Sequence, residues 1–199
     1  MSNRDLVPVD LDWSARYPRS FYAQDPCVVA PALLGATVVH TDRQGVRRAG
    51  MVVETEAYRG EEDQACHARV GRTKRTAPMY GAPGRSYVYL IYGMYNMLNV
   101  VTWPEGEPSA VLIRALAPVE GTNATMDGPG KLCRELHIDR SHNNEDLLAS
   151  TLFIIPGKTI SPQRIATSTR VGIAYAGDWA SRPWRFAIRG HRCVSRPRI

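Results

Sequence analysis

Cysteine is scarce in this chain of 199 residues, and long apolar runs are missing. The four cysteines, Cys27, Cys66, Cys133 and Cys193, lie far apart and show neither a Cys-x-x-Cys motif nor a cysteine–histidine ligand spacing. This pattern favours reduced thiols in a cytoplasm over a disulfide framework, and it gives no sign of a metal site. No signal peptide and no apolar stretch near the ~18 residues of a membrane span are visible, so we expect a cytoplasmic protein with no membrane contact.

Lysine is also rare, because all but three of the 25 basic side chains are arginines. The net charge of +6 and a pI near 9.3 indicate an anionic partner. A length of 199 residues suits one sizeable core and is short for two. We therefore expect a polar N-terminal arm over residues 1–24 and a single domain over residues 25–199.

Two glutamates lie on one face of a predicted strand. Residues 52–58 read Val-Val-Glu-Thr-Glu-Ala-Tyr, and β-forming residues on both sides favour an extended conformation. Because strand side chains alternate between faces, Glu54, Glu56 and Tyr58 share one face. Burying two carboxylates without partners is costly, which indicates a function for them. The alternative is a solvent-facing edge with two ordinary glutamates.

The segment that follows this strand is long and rich in arginine. Residues 59–85 contain five arginines, four glycines and at most one predicted helical turn, near residues 61–67. A loop of this length within a compact domain is usually functional or disordered. Its charge favours a surface that faces an anion, and a merely solvated loop is the alternative.

Residues 86–102 form a predicted hairpin with an unusual tip. Two β-rich runs flank Tyr92, Gly93, Met94 and Tyr95, whereas hairpin tips normally carry polar turn residues. An exposed Tyr92 and Met94 would therefore need a functional reason. The alternative is that the tip folds back into the core.

The remaining elements complete an α+β pattern. Asp25 and Pro26 mark a helix start, but Pro31 would interrupt an interior turn, so the helix either begins near Val29 or is kinked. Arg114 lies within an apolar strand, where it should answer a buried or half-buried carboxylate. Further strands are predicted over residues 36–41, 48–57, 110–116, 151–155, 170–174 and 184–189, and a helix over residues 129–138.

Together these features suggest chemistry on a nucleic acid. A carboxylate can deprotonate water for attack on an acetal-type carbon, and a neighbouring arginine favours its ionised form. Reaching the glycosidic bond within a duplex requires extrusion of the base, which costs a few kcal/mol. A wedge side chain and stacking on aromatic rings, at about 1–3 kcal/mol per base, offset that cost, and tyrosines can supply both.

Five ordered blocks carry a family resemblance: VVETEAYRGEEDQACHA, MYGAPGRSYVYLIYGMYNMLNVVT, AVLIRALAPVEG, GPGKLCRELHID and TRVGIAYAGDWASRPWRF. Together they resemble the alkyladenine (3-methyladenine) DNA glycosylase family from about Asp25 to the last residue. The resemblance implies one α+β domain with a curved, mainly antiparallel β-sheet, flanking helices and a protruding β-hairpin. The chain departs from the family pattern at Pro31 and at Tyr95-Asn96-Met97.

The resemblance also implies roles for individual residues. Glu56 resembles the base that activates the attacking water, with Arg114 and the backbone carbonyl of Val171 as the other contacts of that water. Glu54 resembles a structural residue. Asn99 resembles a pocket residue that disfavours guanine by clashing with its amino group. The remaining implied residues are the pocket walls Tyr58, His67 and Tyr89, the DNA-intercalating wedge Tyr92 with Met94, and the DNA-backbone contacts Arg72, Arg75 and Lys131.

Several of these positions have simpler explanations when each residue is considered alone. His67 could be a satisfied core or loop histidine, and Tyr89 could be a core residue, as could Tyr87 on the same strand face. Asn99 could cap the end of a strand. Lys131 could lie on a solvated helix face.

The implied activity is that of a monofunctional, base-excision DNA repair glycosylase. Such an enzyme flips alkylated or deaminated purines (3-methyladenine, 7-methylguanine, hypoxanthine, ethenoadenine) out of double-stranded DNA and hydrolyses the N-glycosidic bond. It leaves an abasic site, has no lyase step, acts as a monomer and needs neither metal nor cofactor. Two other classes stay open: a non-catalytic nucleic-acid-binding module in which Glu56 is only a partner of Arg114, and a carbohydrate hydrolase with Glu54 and Glu56 as its carboxylate pair.

Overall fold

An antiparallel sheet organises the molecule in the computed structural model, which describes residues 11–199. Its described part has eight strands, curled into a half-barrel, in the order β3-β4-β5-β2-β1-β6, with β8 paired to β2 and to β7. The fold is therefore α+β, as predicted. The strands are β1 (Thr37–Thr41), β2 (Arg47–Arg59), β3 (Ser86–Ile91), β4 (Tyr95–Val101), β5 (Ser109–Glu120), β6 (Leu152–Ile155), β7 (Ile165–Ser168) and β8 (Arg185–Ile188).

The central strand β2 changes its neighbour halfway along its length. Residues 47–51 pair with β1, whereas Glu54 to Glu56 pair with β8, and β5 covers the opposite edge throughout. Register shifts on either side of Glu54 mark the change, as expected where a β-bulge bends a strand. Both glutamates consequently lie in the interior of the sheet, and both are fully buried. The alternative of an exposed edge with two ordinary glutamates is wrong.

Within residues 11–199, three short α-helices flank the sheet: α1 (Arg19–Tyr22), α2 (Pro26–Ala32) and α3 (Pro129–Glu135). Helix α2 begins at the predicted signal, because the Asp25 side chain caps it by accepting from the Cys27 amide. Pro31 lies in its last turn, where few hydrogen bonds remain to be lost. The predicted start near Val29 is therefore wrong.

The N-terminal segment is partly integrated into the core. Residues 1–10 of the predicted arm lie outside the described residues. Within the rest of it, α1 places Tyr22 fully buried against the main core, and the Arg19 guanidinium pairs with Asp146 at 2.7 Å. A polar surface arm is thus wrong for residues 19–22, and the division into an arm and a domain at residue 24 stays a prediction.

Two segments differ in secondary structure from the sequence-based expectations. The loop after β2 contains the 3-10 helices His67–Val70 and Ala77–Tyr80, not a single turn near residues 61–67. The predicted strand over residues 170–174 is a loop, because Gly172 turns the chain with a φ of 76° and a 3-10 helix follows over Ala174–Ser181. The strand in this region is β7, which lies earlier.

The four cysteines are free; Cys66 and Cys133 are buried, whereas Cys27 and Cys193 are partly buried. Burial raises the pKa of Cys66 and of Cys133 to about 12. The pKa of Cys27 also rises to about 12, through burial and the nearby Asp25 carboxylate. Between residues 11 and 199, no helix is both long and apolar enough to cross a membrane.

Candidate active site

A cavity of about 250 Å³ opens where the β3–β4 hairpin, the loop after β2 and the segment after residue 170 meet β5. This cavity is called the pocket below. Seven residues proposed from the sequence line it: Tyr58, His67, Tyr89, Tyr92, Asn99, Arg114 and Val171. Tyr87 and Tyr175 also line it, and their contribution was not predicted.

Glu56 lies directly behind the pocket wall. Its Oε1 accepts from the backbone nitrogen of Val171 at 2.7 Å, and its Oε2 accepts from the Tyr58 hydroxyl at 2.8 Å. The Arg114 Nη1 atom lies 3.3 Å from Oε1. Glu56 itself is fully buried, whereas all three of its partners line the pocket. These partners therefore lie between its carboxylate and the pocket.

Arg114 joins both glutamates of β2. Its Nε donates to Glu54 Oε1 at 2.9 Å, while Nη1 faces Glu56. Although burial disfavours the charged guanidinium, the Glu56 and Glu54 carboxylates outweigh it and raise the pKa of Arg114. The expectation that this arginine answers a buried carboxylate is confirmed, and it answers two.

A second buried arginine fixes the segment that carries Val171. The Arg170 guanidinium forms a bidentate pair with Asp63, with Nη2 2.8 Å from Oδ1, and Nη1 donates to the carbonyl of Ala57 at 2.9 Å. The same guanidinium lies 4.8 Å from the ring centroid of Tyr58. No local sequence pattern indicates this pair, because Asp63 and Arg170 are 107 residues apart.

His67 lies between aromatic rings and basic side chains. Its Nδ1 is 3.0 Å from the Tyr87 hydroxyl, its ring is 4.5 Å from that of Tyr89, and its Nε2 is 3.4 Å from Arg75 Nη2. Since a guanidinium only donates, Nε2 accepts and Nδ1 carries the proton. Burial, together with the charges of Arg75 and Arg69, lowers the pKa of His67 to about 4. The ring is therefore neutral at neutral pH.

Asn99 is a buried pocket residue on β4. Its Nδ2 donates to the carbonyls of Tyr87 at 3.0 Å and Met97 at 3.3 Å. These two bonds fix the orientation of the amide within the sheet. Because Asn99 also lines the pocket, its side chain is placed where it can contact an occupant.

The tip of the β3–β4 hairpin projects into solvent. Tyr92 is 83% exposed and Met94 is 65% exposed, so the alternative of a tip folded into the core is wrong. Tyr92 has a φ of 54°, an uncommon conformation for a bulky residue, and Gly93 follows with a φ of 70°. This turn presents the Tyr92 ring at the mouth of the pocket.

Basic side chains lie near the pocket without lining it. The Arg75 guanidinium lies 5.3 Å from the ring centroid of Tyr89, and that of Arg72 lies 5.7 Å from Tyr80. Lys131, at the start of α3, pairs with Asp127 at 2.8 Å. Within the described residues, neither Arg72 nor Arg75 forms an ion pair with a carboxylate. Their charges are therefore less neutralised than that of Lys131.

Metal ligands do not cluster in this region. Over residues 11–199, no group of three or more histidine, cysteine, aspartate or glutamate side chains is arranged to hold a metal ion.

Comparisons with known proteins identify the family of this chain. The family described as methylpurine-DNA glycosylase (MPG) matches residues 20–192. A protein of Anaeromyxobacter dehalogenans (strain 2CP-C) is 55% identical over 183 residues, covering 92% of this chain and 87% of its own length. A protein of Myxococcus xanthus (strain DK1622) is 47% identical over 181 residues, covering 90% of this chain and 93% of its own. Both carry the name "Putative 3-methyladenine DNA glycosylase". The chain belongs to the methylpurine-DNA glycosylase family.

Proposed function

We propose that this DNA glycosylase removes alkylated or deaminated purines, such as 3-methyladenine, 7-methylguanine, hypoxanthine and ethenoadenine, from double-stranded DNA. It hydrolyses the N-glycosidic bond with a water activated by Glu56 and leaves an abasic site. One observation carries this proposal: Glu56 contacts Arg114 and Val171, which both line a pocket walled by tyrosines. The enzyme acts as a monomer in the cytoplasm, and its net charge of +6 suits a polyanionic substrate.

Base extrusion begins at the hairpin tip. The exposed ring of Tyr92, with Met94 beside it, fills the space that the extruded nucleotide leaves in the duplex, and Arg72, Arg75 and Lys131 hold the phosphates. The base then enters the pocket. There the rings of Tyr58 and Tyr89 and of His67 return about 1–3 kcal/mol per stacked base, which offsets the cost of unstacking.

Hydrolysis follows from the surroundings of Glu56. A water bound between Glu56, Arg114 and the backbone of Val171 attacks C1′ of the nucleotide. The C1′–N bond breaks, its electron pair leaves with the base, and the proton of the water passes to the carboxylate of Glu56. For a cationic base such as 3-methyladenine, departure is already easy, so exclusion of undamaged bases by Asn99 matters more than acid catalysis.

The reaction ends at the abasic site. A lyase step would require an amine nucleophile, and no lysine is among the residues that line the pocket in the described part of the chain. His67 is neutral at neutral pH and therefore contacts a neutral purine as a hydrogen-bonding ring rather than as a cation.

The test is release of free base from duplexes that each carry one defined lesion. Glu56→Gln keeps the size of the side chain but removes the base, so base release should fall by about 10²- to 10⁴-fold while duplex affinity stays within about twofold. Glu120→Gln, in an exposed pair with Arg47, is the matched control and should keep full activity. Full activity of Glu56→Gln rules out this mechanism. Inactivity of the unaltered enzyme on every lesion duplex favours a binding module instead.

A further inference from the structure

We infer that Ser195, near the C-terminal end, is a positioning residue that aims Arg114 at Glu56. The inference rests on the proposed role of Glu56 and Arg114 in holding the attacking water. The family model matches residues 20–192, so Ser195 lies outside that match.

The Ser195 hydroxyl connects the two ends of a buried ion pair. It accepts from Arg114 Nη2 at 3.1 Å and donates to Glu54 Oε1 at 2.9 Å. The backbone nitrogen of Ser195 donates to the other oxygen, Oε2, at 2.6 Å. Ser195 is 3% exposed and Glu54 is fully buried, so water does not replace these bonds readily.

These bonds determine which way the Arg114 guanidinium points. The group is planar, and its donors have fixed directions. Nε is held by Glu54 and Nη2 by Ser195, which leaves Nη1 directed at Glu56. Without the Ser195 hydroxyl, Nη2 loses its acceptor, and the guanidinium plane is held only through Nε by Glu54 and through the longer 3.3 Å contact of Nη1 with Glu56 itself.

Arg185 holds the segment of residues 195–197, called the tail below, which contains Ser195. Its Nε donates to Glu54 Oε1 at 2.7 Å, and its Nη2 donates to the carbonyls of Pro197 at 2.7 Å and Ser195 at 3.3 Å. Arg185 is 1% exposed, and its backbone lies opposite that of Glu56 in the β2–β8 pairing. The tail is therefore tied to the same carboxylate that orients Arg114, although no tail residue lines the pocket.

The test is single-turnover base release by Ser195→Ala, measured together with the affinity for a lesion duplex. Supporting groups of this kind typically cost about 10- to 100-fold when removed. We expect the rate to fall by about tenfold or more, with duplex affinity within about twofold, since Ser195 does not touch the DNA-facing pocket. The loss should lie in the rate of base release and not in the affinity for the duplex, a split that a general loss of structure would not produce.

Two further variants make the result decisive. Ser150→Ala removes a hydroxyl that donates to the carbonyl of Leu152 at the start of β6, at the far edge of the sheet from the hairpin, and should leave the rate unchanged. Arg185→Lys keeps the charge but removes the bonds to the tail carbonyls, so it should reproduce the loss in rate even if Ser195→Ala does not fold. Rates within twofold of the unaltered enzyme in the folded variants overturn the inference. When Glu56→Gln is inactive in the same assay, that outcome leaves the proposed function intact, whereas an active Glu56→Gln removes both.

Discussion

The Oε1 atom of Glu56 accepts a 2.7 Å hydrogen bond from the backbone nitrogen of Val171, 115 residues further along the chain. Val171 is held there by its neighbour Arg170, whose guanidinium is paired with both carboxylate oxygens of Asp63. Neither member of this ion pair lines the pocket. The environment of the proposed base thus depends on a buried pair outside the pocket.

Breaking this pair should destabilise the protein strongly. Asp63→Asn leaves the buried Arg170 charge uncompensated, which typically costs about 3–5 kcal/mol. Urea denaturation measures the change in the free energy of unfolding. Glu120→Gln breaks the exposed pair with Arg47 and should cost no more than about 1 kcal/mol. Equal losses in the two variants would show that the buried pair has no special role.

Removal of the hairpin ring should weaken base extrusion. Tyr92→Ala deletes the exposed ring that we propose fills the gap in the duplex, so single-turnover excision should fall most for well-stacked lesions and least for mismatched ones. Tyr92→Phe keeps the ring and should retain most of the activity. The same loss with every lesion, or a loss in Tyr92→Phe equal to that in Tyr92→Ala, would argue against a wedge.

Replacing Asn99, the buried pocket residue of β4, by a shorter side chain should weaken the discrimination against undamaged guanine. Asn99→Ser removes the group expected to clash with the amino group of guanine, so the relative kcat/KM for undamaged guanine should rise by about tenfold or more. The measurement is guanine release from an undamaged duplex compared with hypoxanthine release. Asn96 lies on the opposite face of the same strand, and Asn96→Ala is the control that should leave this ratio unchanged. An unchanged ratio in Asn99→Ser contradicts the assignment.

Duplex affinity should fall steeply with salt, because phosphate contacts release counterions. Replacing Arg72 or Arg75 by alanine should reduce the slope of log K against log salt by about 0.9 for each phosphate that the variant no longer neutralises. Lys131→Ala should change it less, because this lysine already pairs with Asp127. Arg43, in the turn between β1 and β2, serves as the control. A slope that no variant alters would exclude these phosphate contacts.

Thermal stability should decline as the pH is lowered from about 6.5 towards 4. The pKa of His67 is about 4 in the folded protein, whereas an unfolded histidine titrates near 6.5. Between these values the unfolded chain binds the extra proton, so folding loses stability as the pH falls. His67→Gln should show a shallower decline in Tm, and the exposed His137→Gln should match the unaltered protein. A parallel decline in all three would contradict a neutral, buried His67.

Local patterns were sufficient for the parts of the fold that depend on neighbouring residues. The alternation of strand side chains predicted that Glu54 and Glu56 share one face of a strand. Two β-rich runs around Gly93 predicted the hairpin and the position of its tip. The apolar surroundings of Arg114 indicated a buried partner, which the structure supplies twice over. The pocket lining followed from the family motifs rather than from spacing, as the choice of Tyr89 shows.

Long-range contacts account for most of what the sequence did not reveal. The exchange of β2 from β1 to β8 depends on a bulge beside Glu54, which no turn residue announces. Asp63 and Arg170 are 107 residues apart. Ser195, near the chain end, bonds to Glu54, which lies 141 residues before it. Such pairings form when the sheet closes. Residues 170–174 have a composition typical of a strand, but they form a loop in which Arg170 is paired with the buried Asp63.

The two buried thiols, Cys66 and Cys133, have a consequence for how the protein reacts with electrophiles such as methylating chemicals. Those chemicals attack thiolates much faster than protonated thiols. With pKa values of about 12 for Cys66 and Cys133, almost no thiolate forms near neutral pH, and packing shields both sulfur atoms. These two cysteines should therefore react slowly with such electrophiles.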